Sequence, residues 1–334
     1  MWVACVAGVN GAAWDSAAAA DEPPRPVAAS VYDRRVRVEN RPPANPATAA
    51  AAGVAVGGGA EQGAGADAVA AQAERIVAGA LAAFGRSTSI SCRLRQKARL
   101  GDRVLVGTGR YVQSGHGDEQ RFRFESTLEC DTESFELLEV CDGLFCWAYR
   151  RDAAEPEMLR RVDVRRVLER INRLHPAAAA NPAPYLGGLQ RSLWSLRQWF
   201  RFVRVDAAEV EGTTVWVVDG RWDSSSLAKL LPEVVEEVGG AAAITPRHLP
   251  DGVPWSVRVF VGQADLLVRR VEWLAIPGPR PVSERPVEPI AVLDLFDIEL
   301  DAPVDAGAFF YQPATTGLID LTEEHLKRLE PMRP

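Results

Sequence analysis

Lysine is nearly missing from this 334-residue chain, which carries only Lys97, Lys229 and Lys327. Arginine supplies almost all the positive charge, a bias that with so many alanines records base composition rather than a role. The 38 basic and 45 acidic side chains leave a formal net charge of −7, and no stretch gathers the basic ones into a stripe. A mildly acidic chain of this kind is not built to hold nucleic acid as its main partner. Histidine is also sparse. His116, His175, His248 and His325 have no companions at metal-ligand spacing, and the helical EEHLKRLE around His325 lacks the paired histidines of a zinc protease. There is no nucleophile elbow and no phosphate-binding glycine loop, and Gly107-Thr108-Gly109 sits inside a strand pattern. These absences predict a non-enzyme that needs no metal or cofactor.

Long runs of strongly apolar residues are lacking too. The longest uncharged run, from Pro42 to Ala60, is mostly Ala, Gly and Pro, which contribute little transfer energy to a membrane span, and has no Leu, Ile or Phe. The apolar start, ending in Ala18-Ala19-Ala20 before Asp21-Glu22-Pro23-Pro24, has the core and cleavage site of a secretory signal without its basic leader, so residues 1–20 read as a signal-peptide remnant. Residues 21–65, rich in Ala, Gly and Pro, read as a disordered tether, and residues 66–334 as one folded domain. The expected location is outside the cytoplasm.

Five cysteines are present, one of them, Cys5, in the leader. In an oxidising compartment Cys92, Cys130, Cys141 and Cys146 can pair in three ways. If Asp142-Gly143 forms a two-residue hairpin turn, Cys141 and Cys146 are diagonal neighbours, and a bridge between them needs a bulge. Four free, buried thiols are the alternative.

What the chain has in abundance is alternation. A first helix over about Asp67–Phe84 presents Ile76, Val77, Ala80, Leu81 and Phe84 on one stripe. Strands follow at Ser89–Leu100, Arg103–Ser114, Arg121–Cys130, Phe135–Cys141 and Leu144–Arg151. The middle is helical: Asp163 caps a helix with Val164, Val167, Leu168, Ile171 and Leu174 at helical spacing, and a second runs through LGGLQRSLWSLRQWF. Strands resume at Phe202–Val210 and Thr213–Trp222, with a short helix inside Leu227–Val238. Three more strands follow at Trp255–Val261, Leu266–Ala275 and Ala291–Leu300. Asp320 opens a closing helix with Glu323 as its capping-box partner. Short turns between consecutive strands make the class α+β: an unclosed antiparallel β-barrel of about eleven strands with helices covering its concave face.

That order of elements resembles the LolA-like family, the periplasmic carriers of lipoproteins and their relatives. The most specific stretch is Val140-Cys141-Asp142-Gly143-Leu144-Phe145-Cys146-Trp147-Ala148-Tyr149, similar to the family's hairpin of apolar strand, Asp-Gly and a return strand with Trp and Tyr. The GTGRYVQ strand and the stretch from Pro303-Val304-Asp305 to Phe309-Phe310 match more weakly. The carriers' Arg-Pro pair after the second strand is replaced by Ser114-Gly115-His116-Gly117, and the insertion over about Asp163–Phe200 is longer than theirs. The resemblance implies a lipid- or lipoprotein-binding protein of the cell envelope. Its partners would be acyl chains and an envelope acceptor or membrane-anchored protein. The alternative it implies is an envelope-stress sensor that binds lipid and a membrane-anchored partner.

The lining expected for such a cavity is aromatic. Phe145, Trp147 and Tyr149 share a face of one strand, as Phe122, Phe124 and Leu128 do of another. A four-residue loop pairing Cys130 with Phe135 puts these sets on opposite faces. A five-residue loop pairing Cys130 with Glu136 puts them together and turns Leu138 and Val140 inward, and this register is preferred. Trp216, Val259 and Trp273 complete the set, although all these residues equally suit ordinary core packing.

Overall fold

The computed structural model describes residues 60–100, 103–131, 133–151, 157–174, 183–245, 248–250, 252–275, 288–313 and 317–329. The leader over 1–20 and the tether up to residue 59 lie outside them.

All the β-structure among these residues forms one sheet of twelve strands. A first meander starts in the middle with β1 (Ser89–Leu100) and steps outward. It runs through β2 (Arg103–Ser114), β3 (Arg121–Cys130), β4 (Glu133–Cys141), β5 (Phe145–Arg151) and β6 (Met158–Asp163). The second starts at the opposite edge with β7 (Phe200–Val210). It returns through β8 (Thr213–Trp222), β9 (Ser256–Gly262) and β10 (Val268–Ala275) to β11 (Glu288–Leu300), which pairs antiparallel with β1. A short β12 (Leu318–Asp320) adds to β6 in parallel, the one parallel pair among the described strands. The outer strands β12 and β7 do not pair, so the wall is unclosed, as the sequence predicts.

The alternation that defines the strands also decides which face is covered. In β3 the residues Phe122, Phe124, Ser126, Leu128 and Cys130 are buried while their neighbours are exposed or half-buried. The chain must cross from β6, the strand inside β12, to β7 at the opposite edge, and helices make the crossing. These are α2 (Val164–Leu174), the single turn α3 (Ala183–Leu186) and α4 (Gly188–Trp199). The long α1 (Ala60–Arg86) packs on β7, β8, β9 and α4, and α7 (Thr322–Leu329) packs on α2 and β6. Two short helices, α5 (Ser224–Leu230) and α6 (Pro232–Val238), replace the single one expected within Leu227–Val238, because Pro232 can only begin a new helix.

Several boundaries differ from the sequence reading. The first helix starts at Ala60, so the last part of the expected tether is helical. The stretch Gly65–Arg86 is long and apolar enough to cross a membrane by length and composition, yet Ala73, Val77, Ala80 and Phe84 are buried in the core. β6 and β12 were not anticipated: RRVD reads as polar, and three residues of β12 are too few for a periodic signal. Asp163 does cap α2, its Oδ1 accepting from Arg166 N at 3.1 Å. Glu323 does not close a capping box; it pairs with Arg166 instead, while Asp320 accepts from Thr322 N at 3.0 Å.

Candidate functional site

Strand register sorts the expected lining residues. The β3–β4 connection is two residues, pairing Cys130 with Glu133, Leu128 with Phe135, Phe124 with Glu139 and Phe122 with Cys141. This has the parity of the register set aside in the sequence reading, and it overturns the preferred one. Phe122 and Phe124 face the helices, where the two glycines ahead of α4 lie against the Phe122 ring. Leu128 is on the same face but farther along, in a separate small cluster with Leu105, Cys130 and Phe135. Trp216, Val259 and Trp273 also belong to the covered face, where Val218, Val257, Val261 and Val271 complete the wall.

Leu138, Val140, Phe145, Trp147 and Tyr149 point the other way. Val140 pairs with Trp147 and Leu138 with Tyr149, opposite Arg123 and Glu125 of β3. On this outer face the segment after β11 forms a strap. Asp301 accepts from Thr88 N at 2.7 Å, Arg123 Nη1 donates to Phe310 O at 3.4 Å, and the Tyr311 ring lies 6.0 Å from that of Trp147. Trp147 is therefore buried under the strap, its Nε1 donating to Asp142 Oδ2 at 3.3 Å. These five residues do not line the covered face.

The covered face is not an open hollow. Phe84, Ile90, Leu94, Tyr111, Ile171, Leu189, Leu193, Phe200 and Phe202 are each less than 2% exposed, filling the space between wall and helices. The expectation of a preformed cavity is thus corrected: the helices supply the side chains that occupy it.

Polar groups concentrate at one point of this interface, which the sequence reading missed. Glu139, on the covered face of β4, is buried and accepts from Gly188 N at 3.0 Å. Gly187 and Gly188 have φ of 144° and 66°, and a Cβ at Gly188 would come within 2.9 Å of the Phe122 ring. Only glycine serves there, and it makes a sharp corner between α3 and α4. Two residues on, Gln190 Nε2 donates to Gln113 Oε1 at 2.8 Å, which also accepts from Tyr111 Oη at 2.7 Å. The start of α4 is thus held by a carboxylate of β4 and an amide relay of β2. Burial pushes the Glu139 carboxyl up to about 7, against the lowering pull of Gly188 N–H and Arg191.

Beside this latch is a cavity of about 90 Å³ lined by Glu139, Cys146, Arg160, Arg191, His325 and Arg328, among others. His325, which has no companion at ligand spacing in the sequence, is 8% exposed, and its Nε2 lies 2.9 Å from Tyr185 O. Desolvation, and then Arg191, hold it down at about 3, so it is neutral. The signal that could have found this cluster was Glu139, an acid set between Leu138 and Val140 in the apolar half of β4.

Cys141 and Cys146 are directly opposite, not diagonal, with sulfurs 2.9 Å apart. The turn is shifted by one residue: Asp142 pairs with Phe145, Gly143 (φ 94°) and Leu144 form the tip, and Asp142 Oδ1 accepts from both Leu144 N and Phe145 N.

Sequence comparison finds no match to any protein family or to any curated protein. Among solved structures the chain is similar to the lipoprotein LppX of Mycobacterium tuberculosis, at 10% identity over 72% of this chain and 98% of that one, with a TM-score of 0.30. It is similar to an outer membrane lipoprotein-sorting protein domain from Vibrio parahaemolyticus at 11% identity, over 71% of this chain and 97% of that one, TM-score 0.26. A further likeness is to MucB, solved in complex with MucA, at 11% identity over 74% of this chain and 60% of that one, TM-score 0.28. The architecture itself, an unclosed antiparallel wall with helices in its mouth, is the one that the resemblance to the LolA-like family implies.

Proposed function

We propose that this chain is a cell-envelope binding or carrier protein for lipid acyl chains or acylated lipoproteins, acting outside the cytoplasm and without covalent chemistry. The observation that carries the reading is the way the wall is closed. An apolar face that spans most of the sheet is sealed by helices and not by strand pairing. Side chains such as Leu189 and Leu193, inserted from a helix hinged at Gly187-Gly188, can leave without breaking a ladder hydrogen bond of the sheet.

An acyl chain then takes their place. Burying one CH₂ is worth about 0.8 kcal/mol, so a chain of roughly 16 carbons offers on the order of 10 kcal/mol against the cost of lifting the cover. No reacting group is required; the site has to exclude water and yield.

The test is native mass spectrometry of the protein isolated from its own envelope, with fluorescent fatty-acid uptake on the purified chain. Lipid-sized adducts, and a several-fold loss of uptake in a folded Phe124→Ala variant, are expected. Trp147→Ala, on the outer face, should leave uptake unchanged. An adduct-free protein that also rejects the fatty-acid probe overturns the reading.

A further inference from the structure

The outer face of the central strands β1 and β2 is basic. In β1 the residues Cys92, Leu94, Gln96 and Ala98 are buried, so strand alternation turns Arg93, Arg95, Lys97 and Arg99 to the other side of the sheet. In β2, Arg110 is directly opposite Arg93, with Thr108 opposite Arg95, Val106 opposite Lys97 and Val104 opposite Arg99. These outward positions carry five cations and no acid, in a chain whose net charge is −7. Arg95 is half-buried and the other four cations are exposed.

The acids of the neighbouring strands mostly serve other partners. On β11, Asp297 pairs with Arg93 at 3.5 Å, and Asp294, opposite Arg95, pairs instead with Arg270 at 2.5 Å. Glu299 is opposite Ser91, beyond the end of the row. On β3, Glu125 is opposite Arg110 but pairs with Arg123 at 2.6 Å, and Glu129 is opposite Val106. Arg95, Lys97 and Arg110 form no ion pair with any described residue. Arg93 and Arg95 lie against the Phe296 ring, their guanidinium carbons 5.2 and 5.1 Å from its centroid, an arrangement that leaves N–H edges free to donate. Like charges directly opposite on paired strands repel, so the Arg93–Arg110 pairing is a local cost that an anion outside the sheet would relieve.

We propose that this face docks the protein on an anionic lipid bilayer, with Arg95, Lys97 and Arg110 at the centre of the contact. Alternate residues of a strand are about 7 Å apart, so the row from Arg93 to Arg99 extends over roughly 20 Å. A fluid layer of phosphate headgroups can move its charges to meet such a fixed row, and each cation held near it adds to the attraction. A protein partner would instead look for an apolar, closely fitting centre. Between these cations the sheet offers only Val104, Val106 and Thr108. The helices pack on the opposite side of the sheet, so docking leaves α4 and the Gly187-Gly188 corner free to move. The proposal therefore stands apart from the acyl-binding reading, and either can fail without the other.

Co-sedimentation of the full chain with phosphatidylcholine vesicles, with and without phosphatidylglycerol, tests this. Binding to the anionic vesicles should be at least tenfold stronger than to the neutral ones and should weaken as salt is raised. In Arg95→Gln/Lys97→Gln/Arg110→Gln that preference should shrink to within twofold. A charge-matched control, Arg75→Gln/Arg86→Gln/Lys229→Gln, removes three exposed cations from α1 and α5 and should keep the native preference. Circular dichroism and a melting curve establish that each variant folds, and Lys97→Glu alone serves if the triple variant does not. Equal binding of the native chain to both kinds of vesicle overturns the proposal, as does a preference that survives in the folded outer-face variant. Equal losses in the two triple variants mean that net charge, not this face, governs binding, and overturn it too. Soluble polyglutamate that binds the native chain more tightly than the anionic vesicles do makes an acidic protein the occupant and overturns the bilayer assignment.

Discussion

Glu139 shows how one buried side chain can set the tension in a cover. Its carboxyl, raised to about 7 chiefly by burial, costs nothing below the unfolded value near 4.5, where both states are protonated. As pH rises from there to about 7 the unfolded chain ionises first, so stability is lost across that window and stays low above it. His325 works in the opposite sense. Its folded value near 3 lies below the unfolded 6.5, so its contribution is complete above pH 6.5 and is lost as pH falls toward 3. The two slopes oppose each other between 4.5 and 6.5. Glu139→Gln keeps an acceptor for Gly188 N and removes one slope. Urea unfolding from pH 4 to 8 should show the variant equal to the native chain at pH 4 and more stable at pH 8, by up to about 3 kcal/mol. A difference independent of pH would mean that Glu139 is not a buried, titrating carboxyl.

Among the elements, the β4–β5 hairpin is where a single-residue shift in the turn changes the chemistry. With Asp142-Gly143 at the tip, Cys141 and Cys146 are diagonal and poorly placed to bridge; with Gly143-Leu144 there, they are opposed and their sulfurs touch. Oxidised glutathione should therefore link this pair by thiol–disulfide exchange. The two thiols give up two protons and two electrons, and the reagent is reduced to two glutathione thiols. Cys92, on β1 with two strands between it and β4, is not opposed to either thiol of the pair and should stay unreacted. Peptide mapping by mass spectrometry checks this, and a bridge involving Cys92 or Cys130 would contradict it. The β3–β4 connection teaches the same lesson: Asp131-Thr132 carries no clear turn signal in the sequence, and the register preferred there puts five aromatic and aliphatic residues on the wrong face.

At the scale of the whole molecule, the sheet is two meanders joined at β11–β1, with free edges at β12 and β7. The central strands β1, β2 and β11 are paired on both sides, whereas α4 is held by side-chain packing, Glu139, the Gln113 relay and the ion pair of its Arg197 with Glu74 of α1 at 3.7 Å. Amide hydrogen exchange should therefore be slowest in β1, β2 and β11 and measurably faster in α4, with a fatty-acid probe changing protection in α1 and α4 before the central strands. If α4 exchanges only as slowly as β1, the cover opens only on global unfolding and the displacement mechanism fails.

By itself the sequence determined the order and type of nearly every element, because apolar periods of two and of three to four residues are local properties of the chain. It also determined that the strands form short-turned meanders and that amphipathic helices are available to cover them. Which residues share a face was decided only in three dimensions, since one residue of slip in a turn reverses every side chain beyond it. The polar cluster at the start of α4 likewise exists only in the fold. Glu139, Arg191 and His325 come from β4, α4 and α7, elements far apart in the chain, and they meet around one cavity.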